Sequence, residues 1–222
     1  MRRDRPIVCL VTDRRRLIDR DPSAGTAQEA LVRLAREAVD AGVDLIQIRE
    51  AGLETAQLVD LVAAIVDLTR GAPTRVVVND RLDVALAAGA DGVHLRGDSV
   101  PPRAARTMAP PGFVIGRSVH RIGDAREHAP AVDYLIAGTV FPTPSKPPGA
   151  PLIGPRGFAQ IASAVAVPVL AIGGITTDRL REVAAAGGAG IAAIGLFLPG
   201  DIPLARLVDT LRAQFDSIKT AS

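Results

Sequence analysis

The sequence is poor in sulfur and in aromatic side chains, with one cysteine, no tryptophan and one tyrosine among 222 residues. Cys9 cannot close a disulfide within the chain, and its apolar neighbours indicate a packing role. Aromatic residues make up 3% of the chain, too few to build stacking platforms for single-stranded nucleic acid. The formal net charge of +2 is also too small to favour such a partner. We therefore expect no nucleic-acid ligand.

Long apolar runs are missing as well. The run at residues 7–11 is too short for a secretory leader, and no stretch has the length of a membrane span. We therefore expect a cytoplasmic protein that does not contact membranes. Apolar residues nevertheless reach 48% of the chain, which is enough for a large buried core.

Short β-type runs alternate with helical runs along the whole chain. The strand runs are apolar throughout, as in a parallel sheet that is buried on both faces. The predicted strands are 7–11, 44–48, 75–78, 92–95, 113–115, 134–137, 169–172 and 190–194. The predicted helices are 26–41, 54–69, 82–88, 104–108, 124–128, 157–165, 178–186 and 204–215. Eight strand–helix pairs in this order predict an α/β protein, a (β/α)₈ TIM barrel that forms a single domain over residues 1–222.

In such a barrel the active site is built at the C-terminal ends of the strands. The longest polar loop follows the sixth strand and carries Thr143, Ser145 and Lys146. Two hydroxyls and an ammonium suit an anion, most simply a phosphate or a diphosphate. The alternative interpretation is a solvated surface loop with a free lysine.

Glycines after the last two strands predict a phosphate pocket. Gly173 and Gly174 follow strand seven, and Ile194 and Gly195 stand at the end of strand eight. Small residues there let backbone N–H groups approach an anion, which is how this fold commonly binds phosphate. The alternative is that these glycines only make tight turns. Together with the loop after strand six, the pocket indicates a substrate that carries one or more phosphates.

Strands two and three end in charged and amide side chains. Arg49 can bind a second phosphate or a carboxylate, or it can form an ion pair with Glu50 at the rim. Asn79 and Asp80 offer oxygen ligands to a divalent cation. Alternatively, Asp80 caps the helix that begins at residue 82.

The chain has three histidines, and one of them follows strand five. Ser118 and His120 are two residues apart, so both side chains point the same way if the strand continues. Because histidine side chains titrate near neutral pH, we predict that His120 transfers a proton. We expect His94, inside strand four, to be structural and His128, on a polar helix, to be inert.

Seven segments carry a resemblance to one known group: 10–13, 47–50, 79–83, 91–95, 115–120, 138–146 and 171–175. On these segments nearly the whole chain resembles the thiamin phosphate synthase and thiazole tautomerase (TenI) superfamily, closer to its TenI-like branch. The resemblance implies a barrel, a role in thiamin biosynthesis and a thiazole phosphate ligand.

One activity of the superfamily is the synthase reaction, which joins hydroxymethylpyrimidine diphosphate to thiazole phosphate, releases pyrophosphate and uses Mg²⁺. The resemblance implies a metal-binding role for Asp80 and a substrate-binding role for Gln47, Arg49, Asn79, Ser118, Thr143, Ser145 and Lys146. Two residues depart from the synthase pattern: Ala51 replaces a lysine, and Ser99 replaces a second magnesium aspartate. Both changes weaken the anchoring of pyrophosphate, unless the neighbouring Arg96 and Asp98 compensate.

The other activity is the tautomerase reaction, which aromatises a carboxylated thiazole phosphate by moving one proton and needs no cofactor. In that branch a histidine after strand five is the acid/base, and His120 matches it. The tautomerase is therefore our first hypothesis, with the phosphate at Gly173, Gly174 and Gly195. The synthase is the alternative, and a non-catalytic barrel that senses phosphorylated thiamin intermediates is the third hypothesis. The sequence leaves open whether the chain forms a homo-oligomer.

Overall fold

The computed structural model describes residues 5–23, 25–147 and 149–219, and it contains a closed barrel of parallel strands in the order β1 to β8. Each strand pairs with the next along the chain, and β8 closes the barrel on β1. The strands are Ile7–Val11 (β1), Leu45–Ile48 (β2), Arg75–Asn79 (β3), Gly92–Leu95 (β4), Val114–Val119 (β5), Tyr134–Gly138 (β6), Val169–Ile172 (β7) and Gly190–Ala193 (β8). The predicted (β/α)₈ barrel is confirmed.

The helices surround this barrel and cover its outer face. They are Arg14–Arg20 (α1), Ala27–Asp40 (α2), Thr55–Leu68 (α3), Leu82–Ala87 (α4), Pro102–Met108 (α5), Ile122–His128 (α6), Gly154–Ser163 (α7), Leu180–Ala185 (α8) and Leu204–Lys219 (α9). None of the helices in the described part of the chain combines the length and the apolar character that crossing a bilayer requires.

Helix α1 has no counterpart in the sequence prediction. The Asp13 carboxylate caps it by accepting the N–H of Arg16 at 3.3 Å. Glu50, beyond β2, accepts both the backbone N–H of Arg14 at 3.1 Å and its guanidinium at 2.9 Å. Leu17 is the one buried apolar residue of this arginine-rich helix, so the apolar periodicity that predicts helices is absent. Helix α1 is stabilised instead by its contacts with Glu50, in the loop after β2.

Strand β5 extends four residues beyond its predicted end at residue 115. Gly116 pairs with Tyr134 of β6, and a Cβ atom on Gly116 would lie 2.1 Å from Cζ of Tyr134. The missing side chain therefore makes room for the tyrosine ring inside the barrel. A glycine followed by polar residues is typical of a loop, which is why the prediction stopped early. Consequently Ser118 lies within the sheet, whereas His120 lies just past it.

The barrel wall separates two apolar cores. One fills the layer between strands and helices. The other fills the barrel interior and is built from alternate strand residues: Ile7, Cys9, Val11, Leu45, Val77, Val114, Tyr134, Ile136, Leu170 and Ala192. Cys9 is fully buried and free, as its predicted packing role requires, and burial raises the pKa of its thiol. Because side chains alternate across a strand, the next inward positions fall at the C-terminal mouth of the barrel.

Candidate functional site

A layer of polar side chains closes the inner core at the ends of β2 to β5. Gln47, Asn79, His94 and Ser118 take the inward positions next to the apolar core residues. Gln47 Nε2 donates to Asn79 Oδ1 at 2.9 Å, and His94 Nε2 lies 2.9 Å from Ser118 Oγ. The fold therefore brings together three of the predicted binding residues and one histidine that we expected to be structural.

The side-chain carbonyl of Gln47 is left without a partner. Its Oε1 atom is buried and accepts no hydrogen bond from any described residue. A buried acceptor without a hydrogen bond lowers the free energy of unfolding by about 1–3 kcal/mol. A ligand that brings an N–H donor into the mouth of the barrel would remove this cost.

His94 is packed as expected, but its ring also contacts a site residue. Its Nδ1 lies 3.1 Å from Tyr134 Oη, and its Nε2 faces Ser118. Burial, assisted by the charge of Arg117, lowers the pKa of His94 to about 3. Burial also raises the pKa of the Tyr134 phenol. Both rings are therefore neutral at physiological pH.

The ion pair between Arg49 and Glu50 does not form. Glu50 pairs with Arg14 instead, at 2.9 Å, and both of these side chains are largely buried. The exposed Arg49 side chain has no hydrogen bond or ion pair with the described residues, although its backbone N–H donates to Thr12 Oγ1 at 3.0 Å. Its guanidinium remains available to an anion.

Asp80 does not cap helix α4, which begins after Arg81 without a side-chain cap. Its φ is +64°, the one positive value among the described non-glycine residues, and its N–H donates to the His94 carbonyl at 2.8 Å. Ser99 Oγ, in the loop after β4, donates to Asp80 Oδ1. The Asp80 carboxylate therefore bonds across to the neighbouring loop, not along its own helix.

Arg96 lies on the other side of the Asp80 carboxylate. Its Nη1 is 3.7 Å from Asp80 Oδ2, and its Nη2 is 2.8 Å from Asp98 Oδ2. Its backbone N–H also donates to Ser99 Oγ at 2.7 Å. These four residues, Asp80, Arg96, Asp98 and Ser99, form what we call the rim cluster.

In this arrangement the rim cluster does not fit a magnesium ion held by the protein. Mg²⁺ needs carboxylate oxygens that are open to it, whereas the Asp80 oxygens face Ser99 and Arg96. Asp98 is turned to Arg96, so it does not substitute for the missing aspartate. Nowhere in residues 5–23, 25–147 and 149–219 do three His, Cys, Asp or Glu side chains converge.

His120 is exposed one residue beyond β5, and its Nδ1 lies 2.5 Å from the Gly138 carbonyl oxygen. A carbonyl only accepts hydrogen bonds, so Nδ1 carries a ring proton, and no described residue bonds to Nε2. His120 and Ser118 thus contact different neighbours, and His120 is set up to accept a proton through Nε2.

The loop after β6 forms a turn with an exposed cation. The hydroxyls of Thr143 and Ser145 lie 3.1 Å apart, and the Lys146 N–H donates to the Thr143 carbonyl at 3.1 Å. The exposed Lys146 ammonium forms no ion pair with any described residue. The turn thus offers the hydroxyls and the positive charge that the sequence predicted for an anion.

Gly173 and Gly174 have positive φ values of 97° and 63°. A Cβ on Gly173 would lie 2.4 Å from Thr139 Cγ2, and one on Gly174 would lie 2.3 Å from the Pro142 oxygen. The close approach of the loop after β6 therefore requires both glycines. Their N–H groups and that of Gly195 donate to no backbone carbonyl of the described residues. The turn and the phosphate interpretations are thus compatible.

Arg16 is a candidate site residue that sequence analysis missed. A Cβ on Gly195 would lie 3.4 Å from Arg16 Nη2, and Arg16 has no carboxylate partner in the described chain. The half-buried Ile194 packs against the inner core just before this glycine. Because α1 was not predicted, only the capping Asp13 could have indicated that Arg16 lies here.

A family model described as thiamine monophosphate synthase matches residues 9–197. Thiamine-phosphate synthase of Methanoculleus marisnigri is 42% identical over 174 residues, which cover 78% of this chain and 82% of that protein. The Roseiflexus castenholzii enzyme of the same name is 37% identical over 200 residues, covering 90% and 84%. The structure of thiamine phosphate pyrophosphorylase from Pyrococcus furiosus superimposes with a TM-score of 0.80 at 34% identity, covering 97% and 98%.

Proposed function

The chain belongs to the thiamine monophosphate synthase family of thiamin-biosynthesis enzymes, and we propose that it is itself a thiamine-phosphate synthase. In this reaction the ring nitrogen of thiazole phosphate attacks the methylene carbon of hydroxymethylpyrimidine diphosphate. A C–N bond forms, the C–O bond to the diphosphate breaks, and pyrophosphate leaves with the bonding electrons. The synthase thus replaces the tautomerase as the first hypothesis, because relatives that match most of the chain carry the synthase name.

The observation that carries this proposal is the unpaired carbonyl of Gln47. The pyrimidine substrate bears an exocyclic amine, which donates hydrogen bonds, whereas the aromatic thiazole ring has no N–H. A pyrimidine bound against the polar layer would satisfy Gln47 Oε1 and recover the cost of leaving it unpaired. Gln47 and Asn79 therefore bind the pyrimidine ring in this proposal.

Positive charge for the diphosphate comes from Arg49 and Lys146, whose cationic groups have no anionic partner in the described chain. Negative charge grows on the departing pyrophosphate, so cations fixed around it lower the barrier. An arginine can also grip a phosphate through two parallel hydrogen bonds. The rim cluster does not fit Mg²⁺, the cofactor that the resemblance implies, so these two side chains supply the positive charge in this proposal.

The phosphate of the thiazole substrate binds in this proposal at the ends of β7 and β8, next to the loop after β6. The N–H donors here belong to Gly173, Gly174 and Gly195. They donate to no backbone carbonyl of the described residues. Arg16 adds a guanidinium beside Gly195. These contacts leave the thiazole nitrogen to face the pyrimidine, so both small-molecule substrates share one mouth.

The Gln47→Leu variant tests whether the unpaired Gln47 carbonyl binds the pyrimidine substrate. We expect its affinity for hydroxymethylpyrimidine diphosphate to fall about tenfold, since the amine loses its acceptor, while its affinity for thiazole phosphate stays unchanged. Titration calorimetry measures both. The matched control is Gln160→Leu, which changes an exposed residue of α7. Undiminished affinity of Gln47→Leu for the diphosphate would contradict the proposal.

The tautomerase is kept as a second candidate because His120 Nδ1 bonds to the Gly138 carbonyl, while Nε2 has no partner among the described residues and can accept a proton. In that reaction His120 takes a proton from the ring carbon beside sulfur, and one proton returns elsewhere on the conjugated system. His120→Gln should then abolish aromatisation of carboxythiazole phosphate without weakening its binding. Normal turnover by that variant would remove His120 from the mechanism. The non-catalytic hypothesis is set aside, because the named relatives are enzymes.

A further inference from the structure

Three side chains form a hydrogen-bonded series across neighbouring strands, which we call the His94 network: Tyr134 on β6, His94 on β4 and Ser118 on β5. Tyr134 Oη lies 3.1 Å from His94 Nδ1, and His94 Nε2 lies 2.9 Å from Ser118 Oγ. Tyr134 and His94 are 0% and 1% exposed, whereas Ser118 is half-buried at the mouth. The network thus runs from the dry interior to the candidate site.

The tyrosine hydroxyl sets the direction of these bonds. Within the described chain, Tyr134 Oη has one hydrogen-bond partner, His94 Nδ1. If the hydroxyl accepted a proton from Nδ1, its own proton would be buried without an acceptor, which is costly. If it donates to Nδ1, its proton is satisfied. The arrangement in which Tyr134 donates is therefore the stable one.

The state of His94 follows from this direction. The burial that lowers the pKa of His94 to about 3 keeps the ring neutral, and a neutral imidazole carries one N–H. Since Nδ1 uses its lone pair to accept from Tyr134, the proton must sit on Nε2. Nε2 then donates to Ser118 Oγ, and the Ser118 hydroxyl proton is free to point elsewhere.

We propose that Tyr134 is a positioning residue that holds His94 in the Nε2–H tautomer and thereby makes Ser118 a hydrogen-bond donor to the ligand. In the other tautomer the Ser118 proton would be used on His94, and the ligand would meet only lone pairs. The ligand atom at Ser118 is accordingly an acceptor, such as a ring nitrogen or a phosphate oxygen. This inference goes beyond the proposed function, because it applies to either reaction.

Gly116 belongs to the same arrangement. A Cβ atom at this position would lie 2.4 Å from Tyr134 Oη and 2.1 Å from Cζ. Only a glycine lets the phenol reach His94 across β5, since Gly116 pairs with both His94 and Tyr134 in the sheet. Gly116, which led the sequence prediction to end β5 too early, is thus also the residue that leaves room for the Tyr134 ring.

Nitrogen NMR of the whole wild-type chain with labelled histidine tests the tautomer directly. We expect His94 to show a protonated Nε2 and a bare Nδ1 at neutral pH. The chain has only three histidines, so spectra of His120→Gln and His128→Gln assign the signals. A protonated Nδ1 at His94, alone or as imidazolium, would overturn the proposal, and this measurement needs no variant of the network itself.

A double-mutant cycle tests the consequence for the ligand. The probe is hydroxymethylpyrimidine diphosphate, whose ring nitrogens are acceptors and which we place against the polar layer that contains Ser118. Ser118→Ala should weaken its binding about tenfold, and Tyr134→Phe should weaken it in the same direction. In the Ser118→Ala background, Tyr134→Phe should have little further effect. Full additivity, or unchanged binding by Ser118→Ala, would overturn the role of Tyr134 as a positioning residue. Failure of the proposed synthase would appear in product formation and not in this cycle.

Discussion

The two polar groups at the barrel mouth, the His94 network and the rim cluster, differ in how firmly the fold holds them. The His94 network lies in the dry interior, where each hydrogen bond is costly to break. The rim cluster lies in water, with the Arg96 and Asp98 side chains 53% and 69% exposed. Exposed ion pairs contribute about 0–1 kcal/mol. We infer that the fold fixes the first group, whereas a ligand can rearrange the second.

The two groups meet at β4, and the end of β3 shows the same change from a strand residue to a loop residue. Rigid and adaptable side chains are thus only one or two residues apart. His94 lies inside β4, and Arg96 lies one residue past the strand end. Likewise Asn79 ends β3, and Asp80 follows it. The strand residues point into a packed interior, while the residues beyond contact water.

The largest effect of a substitution at neutral pH is expected from breaking the His94 network with Gly116→Ala. The new methyl group would overlap the Tyr134 ring, at 2.1 Å from Cζ, and overpacking of this kind costs about 3 kcal/mol. Urea denaturation measures the loss of unfolding free energy. The matched control is Gly123→Ala on α6, where a Cβ meets nothing within 4 Å. Equal stability of the two variants would show that Tyr134 is not held as described.

A second test uses the pH dependence of stability. Burial lowers the pKa of His94 from 6.5 to about 3. Between these two pH values the unfolded chain binds a proton at His94 and the folded chain does not. Stability should therefore fall between pH 6.5 and 3, with this group contributing about 1.4 kcal/mol per pH unit.

Denaturation of wild type and His94→Gln at several pH values measures this contribution as the difference between two slopes. The comparison removes the titration of carboxylates that both proteins share. His128→Gln, at a histidine outside the network, serves as the control and should keep the wild-type slope. Parallel curves for wild type and His94→Gln would contradict a neutral, buried His94.

The smallest effect on stability is expected at the rim cluster. Arg96→Gln should change the unfolding free energy by less than about 0.5 kcal/mol, because its ion pairs are exposed. Its affinity for inorganic pyrophosphate should nevertheless fall about fivefold, because we expect an arriving diphosphate to draw the Arg96 guanidinium away from its exposed carboxylates and bind it beside Arg49 and Lys146. Calorimetry against Arg103→Gln, an exposed arginine of α5, supplies the control. A large stability loss, or equal affinities, would remove the contrast with the His94 network.

The barrel could be predicted from the sequence because its strands are continuous apolar runs. Seven strands fall within one residue of the structure at each end. The exception, β5, contains Gly116 and polar residues, and its pairing with β4 and β6 extends it. Helix α1 was missed because contacts with Glu50, not periodicity, define it.

The sequence predicted which residues form the site better than it predicted their hydrogen-bond and ion-pair partners. Gln47, Asn79 and Ser118 follow from the rule that barrel sites lie at strand ends. The sequence does not show the ion pair between Arg14 and Glu50 or the hydrogen bond between His94 and Ser118, because both depend on which side chains the fold brings together. Such long-range choices leave no local pattern, so the sequence offered alternatives where the structure has one arrangement.

The most direct test of the account is product formation by the wild-type chain. Purified protein receives hydroxymethylpyrimidine diphosphate and thiazole phosphate, with magnesium in the buffer, and thiamin phosphate and pyrophosphate are quantified. In a parallel assay it receives carboxythiazole phosphate. We predict thiamin phosphate and pyrophosphate in equal amounts. Absence of thiamin phosphate, from protein that binds thiazole phosphate and aromatises the carboxythiazole, would contradict the synthase and establish the tautomerase.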